Sequence, residues 1–126
     1  MKRFRWSKNS SLLKSSVSAA KGFLHAVRHE KKIRQVVLAM SAVTIVCALA
    51  DVGYLQILMI LLGWMVALIC EMFNTALEKA LDYASGKEYH PLIRDGKDYA
   101  SACTFIALIF AGTLTLSILW AKLFRV

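Results

Sequence analysis

Three long apolar stretches divide this chain of 126 residues and leave little of it that could fold as a water-soluble domain. Val36 to Ala50 is apolar apart from Ser41 and Thr44, Tyr54 to Cys70 holds Gln56 as its one strongly polar residue, and Ala100 to Ala121 has no charge. A bilayer core needs about 20 residues of helix. The second and third stretches suit it. The first is short and must borrow flanking residues or tilt little. Hydrophobic residues make up 58% of the chain, above the soluble norm of about 45–50%. The expectation is a single all-α integral membrane domain. It has an N-terminal amphipathic surface helix over 1–35 and a first span over 36–55. A second span over 54–70 continues as a cytoplasmic helix to about 85. A loop over 86–98 and a third span over 99–121 complete the chain.

Charge orients these spans. Ten of the 16 lysines and arginines precede the first span, the link around Asp51 has none, and the link after the second has Lys79, Lys87, Arg94 and Lys97. The positive-inside rule places the N-terminus and the 71–98 segment in the cytoplasm and the C-terminus outside. No cleavable signal is visible, because the first 35 residues lack a continuous apolar core. Leu12, Leu13, Val17, Ala20, Phe23, Leu24 and Val27 recur at helical spacing among Lys14, Lys21 and Arg28. Such a stretch lies among anionic headgroups. The net charge of +8 follows this membrane pattern, so nucleic acid is not expected as a partner. Cys47, Cys70 and Cys103 form no CxxC pair and read as packing residues. His25 and His29 with Glu30 do not follow the HExxH order of a zinc helix.

A polar stripe begins where the second apolar run ends. Glu71, Asn74, Thr75, Glu78 and Asp82 stand at offsets that return to within about 60° of one direction on a helix. Carboxylates at a membrane helix mouth are costly, so the stripe reads as a site. The following link holds Ser85-Gly86-Lys87 as a helix stop and Pro91 as the chain's one proline. Glu88, Tyr89, His90, Arg94, Asp95, Lys97 and Asp98 surround that proline. This polar turn reads either as a solvated positive-inside loop or as a place for an anionic, metal-bearing ligand. Mg²⁺ suits carboxylates plus phosphate oxygens, and Arg94 and Lys97 suit phosphate charge. Neither GxxxxGK[ST] nor GxGxxG is present.

The run Glu71-Met72-Phe73-Asn74-Thr75-Ala76-Leu77-Glu78, followed by Asp82, resembles the signature of the prokaryotic diacylglycerol kinase family. That family includes diacylglycerol kinases and undecaprenol kinases. The resemblance extends through Glu88-Tyr89-His90-Pro91, Gly96 to Ala102, Lys21-Gly22-Phe23 and His29 to Arg34, and covers roughly residues 11 to 120. It implies a three-span homotrimer with composite sites at the cytoplasmic surface, transferring the ATP γ-phosphoryl group to a lipid alcohol. Glu71 matches the catalytic base, and Asn74 would orient it. Glu78 and Glu30 match ligands for Mg²⁺. Glu88, His90, Lys97 and Asp98 fall on nucleotide positions. Ser101 and the stretch Lys32, Ile33, Arg34 and Gln35 fall near the lipid headgroup.

Departures from the family pattern bear on detail. Val36 stands where Gram-negative members carry a further glutamate, Glu30-Lys31-Lys32 stands where Gram-positive members often have Glu-Arg-Asn, and Ala20 replaces a tryptophan. His90-Pro91 tips the expected lipid slightly towards undecaprenol. The alternatives are an ion-pathway protein and a small non-enzymatic membrane subunit. Pathway carboxylates belong near the midplane, whereas every acidic residue here except Asp51 falls on the cytoplasmic side.

Overall fold

The computed structural model describes residues 11–124, which form four helices: α1 (Leu12–His29), α2 (Lys31–Leu49), α3 (Tyr54–Ser85) and α4 (Pro91–Phe124). The first ten residues of the expected surface helix, with Lys2, Arg3, Arg5 and Lys8, lie outside the described residues, as does Arg125. Three of the helices, α2 to α4, are long and apolar enough to cross a membrane. The architecture is all-helical, as the apolar pattern predicts.

Ser11 starts α1, its hydroxyl accepting the Lys14 N–H at 3.4 Å. Leu12, Leu13, Val17 and Leu24 on this helix are exposed, and none of its residues is buried. The apolar face thus has no cover from the rest of this chain along most of its length.

The expected surface helix does not run to residue 35. The chain leaves the helical conformation at Glu30 (φ −105°, ψ 110°) and re-enters it at Lys31. Two demands force the break. The face of α1 stays exposed, whereas Ile33 and Val36 bury against Leu68 of α3, and one straight helix cannot meet both. Arg34 Nη1 reaches back to the carbonyls of Val27 (3.4 Å) and Arg28 (3.1 Å), acceptors that a helix end leaves without partners. Residues 31–35 therefore belong to the spanning helix. Its 19 residues reach about 28 Å at ~1.5 Å each, which makes up the shortfall of the first apolar run.

The turn after α2 is a Schellman motif. Asp51 takes the left-handed conformation (φ 54°), Val52 N–H bonds to Cys47 O, and Asp51 N–H bonds to Ala48 O. Val52 packs on Cys47 and Ile60, the apolar contact this motif usually brings. Gly86 (φ 59°) closes α3 in the same way, with Lys87 N–H on Asp82 O. The loop expected over 86–98 is much shorter, because α4 begins at Pro91. Proline suits a first helical position, and His90 Nδ1 accepts the Leu92 N–H at 3.2 Å as the cap before it.

Small residues let α3 and α4 approach closely. Ala67, Ala107 and Ala111 form a buried cluster, and a Cβ on Gly63 would meet Leu114 Cδ2 at 3.3 Å. Trp64 Nε1 donates to Thr115 Oγ1 at 3.0 Å, and Thr115 donates to Ala111 O at 2.8 Å. This chain of bonds ties two helices where no water competes.

Candidate active site

α3 carries the polar stripe past its apolar half, and the tertiary structure sorts the stripe by burial. Glu71 is 4% exposed and Asn74 3%. Glu71 Oε1 and Asn74 Oδ1 are buried without a hydrogen-bond partner. Orphaned acceptors of this kind are uncommon in a folded protein, and here two of them stand one helical turn apart on the same face. Thr75 is buried beside them.

Further along α3, Glu78 and Lys79 meet the α1–α2 break. Lys79 Nζ lies 2.8 Å from Glu30 Oε1, and Lys32 Nζ lies 3.5 Å from Glu78 Oε1. The two pairs are reciprocal, one lysine from each side. They bring the carboxylates of Glu30 and Glu78 to the same junction, and each faces a cation. The Lys79 ammonium holds the Glu30 carboxyl below the usual carboxylate range, and Glu30 raises Lys79 in turn. Glu30 and Glu78 are hard oxygen donors that would suit Mg²⁺ once it displaces the lysines they pair with, and the orphaned oxygens of Glu71 and Asn74 lie on the same stripe. Among the described residues no group of three or more His, Cys, Asp or Glu is placed to hold a metal, so an ion here would need further oxygens from a ligand.

A cleft of about 560 Å³ opens between the end of α3 and the start of α4. Glu88, His90, Lys97 and Asp98, all expected at nucleotide positions, line it together. Arg94, Tyr89 and Asp82 join them, and Arg94 Nη1 donates to the Tyr89 hydroxyl at 3.2 Å. Asp82 is ion-paired with Lys97, a role the sequence did not disclose. A second, mainly apolar groove of about 380 Å³ runs along α2 to Glu71, lined by Lys32, Gln35, Val36, Ala39, Trp64 and Leu108.

The profile of the prokaryotic diacylglycerol kinases matches residues 17–119, most of the chain and every element described above. The chain belongs to the prokaryotic diacylglycerol kinase family. It is 35% identical over 102 residues to a diacylglycerol kinase of Pseudomonas aeruginosa, covering 81% of this chain and 78% of that one. It is 29% identical over 110 residues to the diacylglycerol kinase of Escherichia coli, with 87% and 89% covered. It is 30% identical over 112 residues to the undecaprenol kinase of Bacillus subtilis, again with 87% and 89% covered. As a diacylglycerol kinase family member it is a lipid kinase and a membrane protein.

Within that family frame the four expected headgroup residues of α2 separate. Lys32 and Gln35 line the groove that leads to Glu71. Ile33, by contrast, is 1% exposed and closes the core with Val36 and Leu68, so its side chain is withdrawn from any substrate. Arg34 is engaged with the end of α1. Ser101 is exposed on α4 and lines neither cleft. Trp64 is one of four groove residues that sequence reading missed, with Val36, Ala39 and Leu108. It lies mid-span, and its one signal was a polar N–H within an apolar run.

Proposed function

We propose that the protein transfers the γ-phosphoryl group of ATP to the hydroxyl of a membrane lipid alcohol at the cytoplasmic surface, with Glu71 as general base. The observation that carries this reading is a buried carboxylate, one oxygen of which has no hydrogen-bond partner in the chain, lining an apolar groove. A lipid chain suits the groove, and its terminal hydroxyl would then meet Glu71 Oε1. Glu71 takes the hydroxyl proton as the lipid oxygen bonds to the γ-phosphorus. The bond from that phosphorus to the β–γ bridging oxygen breaks, and its electron pair leaves on ADP. Phosphoryl transfer asks the protein for alignment and charge neutralisation more than for covalent chemistry.

Asn74, one turn from Glu71, orients the base. Glu30 and Glu78 would hold Mg²⁺, which when bound offsets triphosphate charge. Lys97 and His90 serve the nucleotide together with Glu88 and Asp98, in the cleft they share. Three copies assemble around these sites. The exposure of Phe73 and Leu77 beyond the second apolar run supports that reading, since such side chains want cover. The lysine and arginine distribution supports a cytoplasmic N-terminus and an external C-terminus.

For the lipid, relatives named diacylglycerol kinase at 35% and 29% identity stand either side of an undecaprenol kinase at 30%; diacylglycerol is the first substrate to offer, beside the undecaprenol that His90-Pro91 slightly favours. Purified protein given radiolabelled ATP with diacylglycerol and undecaprenol in parallel tests the reading. Label is expected in diacylglycerol. Label in undecaprenol alone reverses the choice of lipid, and label in neither removes the kinase reading.

A further inference from the structure

Lys32 occupies a place that neither groove nor cleft alone explains. It is the one cation among the residues lining the groove to Glu71, yet its ammonium is paired with Glu78. Glu71 lines the same groove, so the Lys32 side chain borders the base on one side and reaches Glu78 on the other. It therefore stands between the base and a carboxylate suited to the metal. Its bond to Glu78 is loose at 3.5 Å, with 60% of the lysine side chain exposed, and exposed pairs of this kind hold weakly. The companion pair Lys79–Glu30 is tighter at 2.8 Å.

We infer that Lys32 is an exchangeable cation of the active site, resting on Glu78 and moving onto the transferring phosphoryl group when a divalent cation takes that carboxylate. This deepens the kinase reading above and rests on it. The physical case is charge balance. A divalent ion arriving at Glu78 displaces the ammonium from its partner. The same event brings triphosphate charge to the neighbourhood, and a flexible four-carbon stem lets the ammonium follow it. Lys32 already shares the groove with Glu71, so the nearest new anion is the group under attack. Charge placed there is worth most as the phosphoryl oxygens develop their transition-state charge.

The test uses the full chain in detergent micelles and Mn²⁺, followed by loss of the free-ion EPR signal. Without nucleotide, Lys32→Met is expected to bind Mn²⁺ at least threefold more tightly than wild type, because the competing ammonium is gone. Lys31→Met, which removes the same charge one residue away, stays at the wild-type value. With a non-hydrolysable ATP analogue present the sign reverses, and Lys32→Met binds the Mn²⁺–analogue complex at least threefold more weakly. In turnover with a lipid acceptor, kcat falls tenfold or more in Lys32→Met, and Lys32→Arg recovers most of it. Equal tightening by Lys31→Met and Lys32→Met overturns the exchange, since it reports a general field. Undiminished affinity for the analogue complex overturns the move to phosphate. A change confined to the lipid KM reduces Lys32 to a headgroup contact. A wild-type protein that labels neither lipid sinks the kinase reading instead, and the two Mn²⁺ arms still decide whether Lys32 exchanges.

Discussion

Lys79 Nζ meets Glu30 Oε1 at 2.8 Å, joining α3 to the residue at which the chain leaves α1 and enters α2. The bond therefore ties α3 to the backbone break where the first helix ends and the first span begins. Glu78, beside Lys79 in sequence, pairs in turn with Lys32 of α2.

That pair carries a pH dependence of defined sign. Lys79 lowers the Glu30 pKa from its ordinary value of 4.5. A carboxyl depressed in the folded state adds stability that is fully present above its unfolded pKa and is lost as pH falls through the folded value. Thermal unfolding of the wild type followed from pH 7 to pH 3 should show this extra loss below about 4.5. Lys79→Met should start from a lower Tm at neutral pH and lose less of it on acidification. Parallel curves for the two proteins would remove the pair from the account of stability.

Glu71→Gln keeps the shape and burial of the side chain and removes its ability to take a proton. Turnover should fall by roughly 10²–10⁴-fold, the range that general-base catalysis supplies. The melting temperature and the oligomeric state in detergent should be unchanged. A variant that still labels lipid at a wild-type rate would dismiss Glu71 as the base.

Arg34 gives a sharper separation between structure and chemistry. Its guanidinium closes the end of α1 through the Val27 and Arg28 carbonyls, so Arg34→Met should free that helix end. The cost is about 1 kcal/mol, the net value of such hydrogen bonds at an exposed site. Limited proteolysis should cut more readily near residues 27–31, while the KM for lipid stays within about twofold of wild type, a change of under ~0.5 kcal/mol. A large rise in lipid KM with unaltered proteolysis would return Arg34 to the headgroup.

Much of the fold could be read from the chain, for specific reasons. Unbroken apolar runs define α3 and α4 directly, and the 100° spacing of Glu71, Asn74 and Glu78 placed them on one face before any tertiary contact was known. The break at Glu30 was not legible, because nothing local forbids helix there. It follows from the conflict between an exposed α1 and a buried Ile33, which is a tertiary matter. Pro91 marked a boundary, but its sense was ambiguous. Only the His90 cap shows that it opens α4. The close approach of α3 and α4 rests on small residues four apart on facing helices, Gly63 with Ala67 and Ala107 with Ala111.

The Trp64–Thr115 bond should contribute to that approach. Thr115→Val removes the acceptor and leaves the indole N–H unpaired in an apolar setting. Interhelical bonds of this kind average about 0.6 kcal/mol, with roughly 1.7 kcal/mol at the upper end. Equilibrium unfolding in mixed detergent should show a loss in that range. No loss would mean that the indole finds another partner.

Asp82 gains its role from Lys97. The two are ion-paired across the cleft between α3 and α4, and both are among its lining residues. Lys97 reaches from α4, whose start is fixed by Pro91 and the His90 cap, so Asp82 is what holds its ammonium towards α3. Lys97→Ala removes the cation proposed to meet phosphate and should raise the KM for ATP at least tenfold, a loss of about 1.4 kcal/mol in binding. Asp82→Asn leaves the lysine in place but lets its long side chain wander. The KM for ATP should rise by a smaller factor, and the lipid KM should not move. Combining the two changes separates positioning from direct contact. If Asp82 acts through Lys97, the double variant should match Lys97→Ala alone, because nothing is left to position. Additive losses would instead give Asp82 its own contact with the nucleotide.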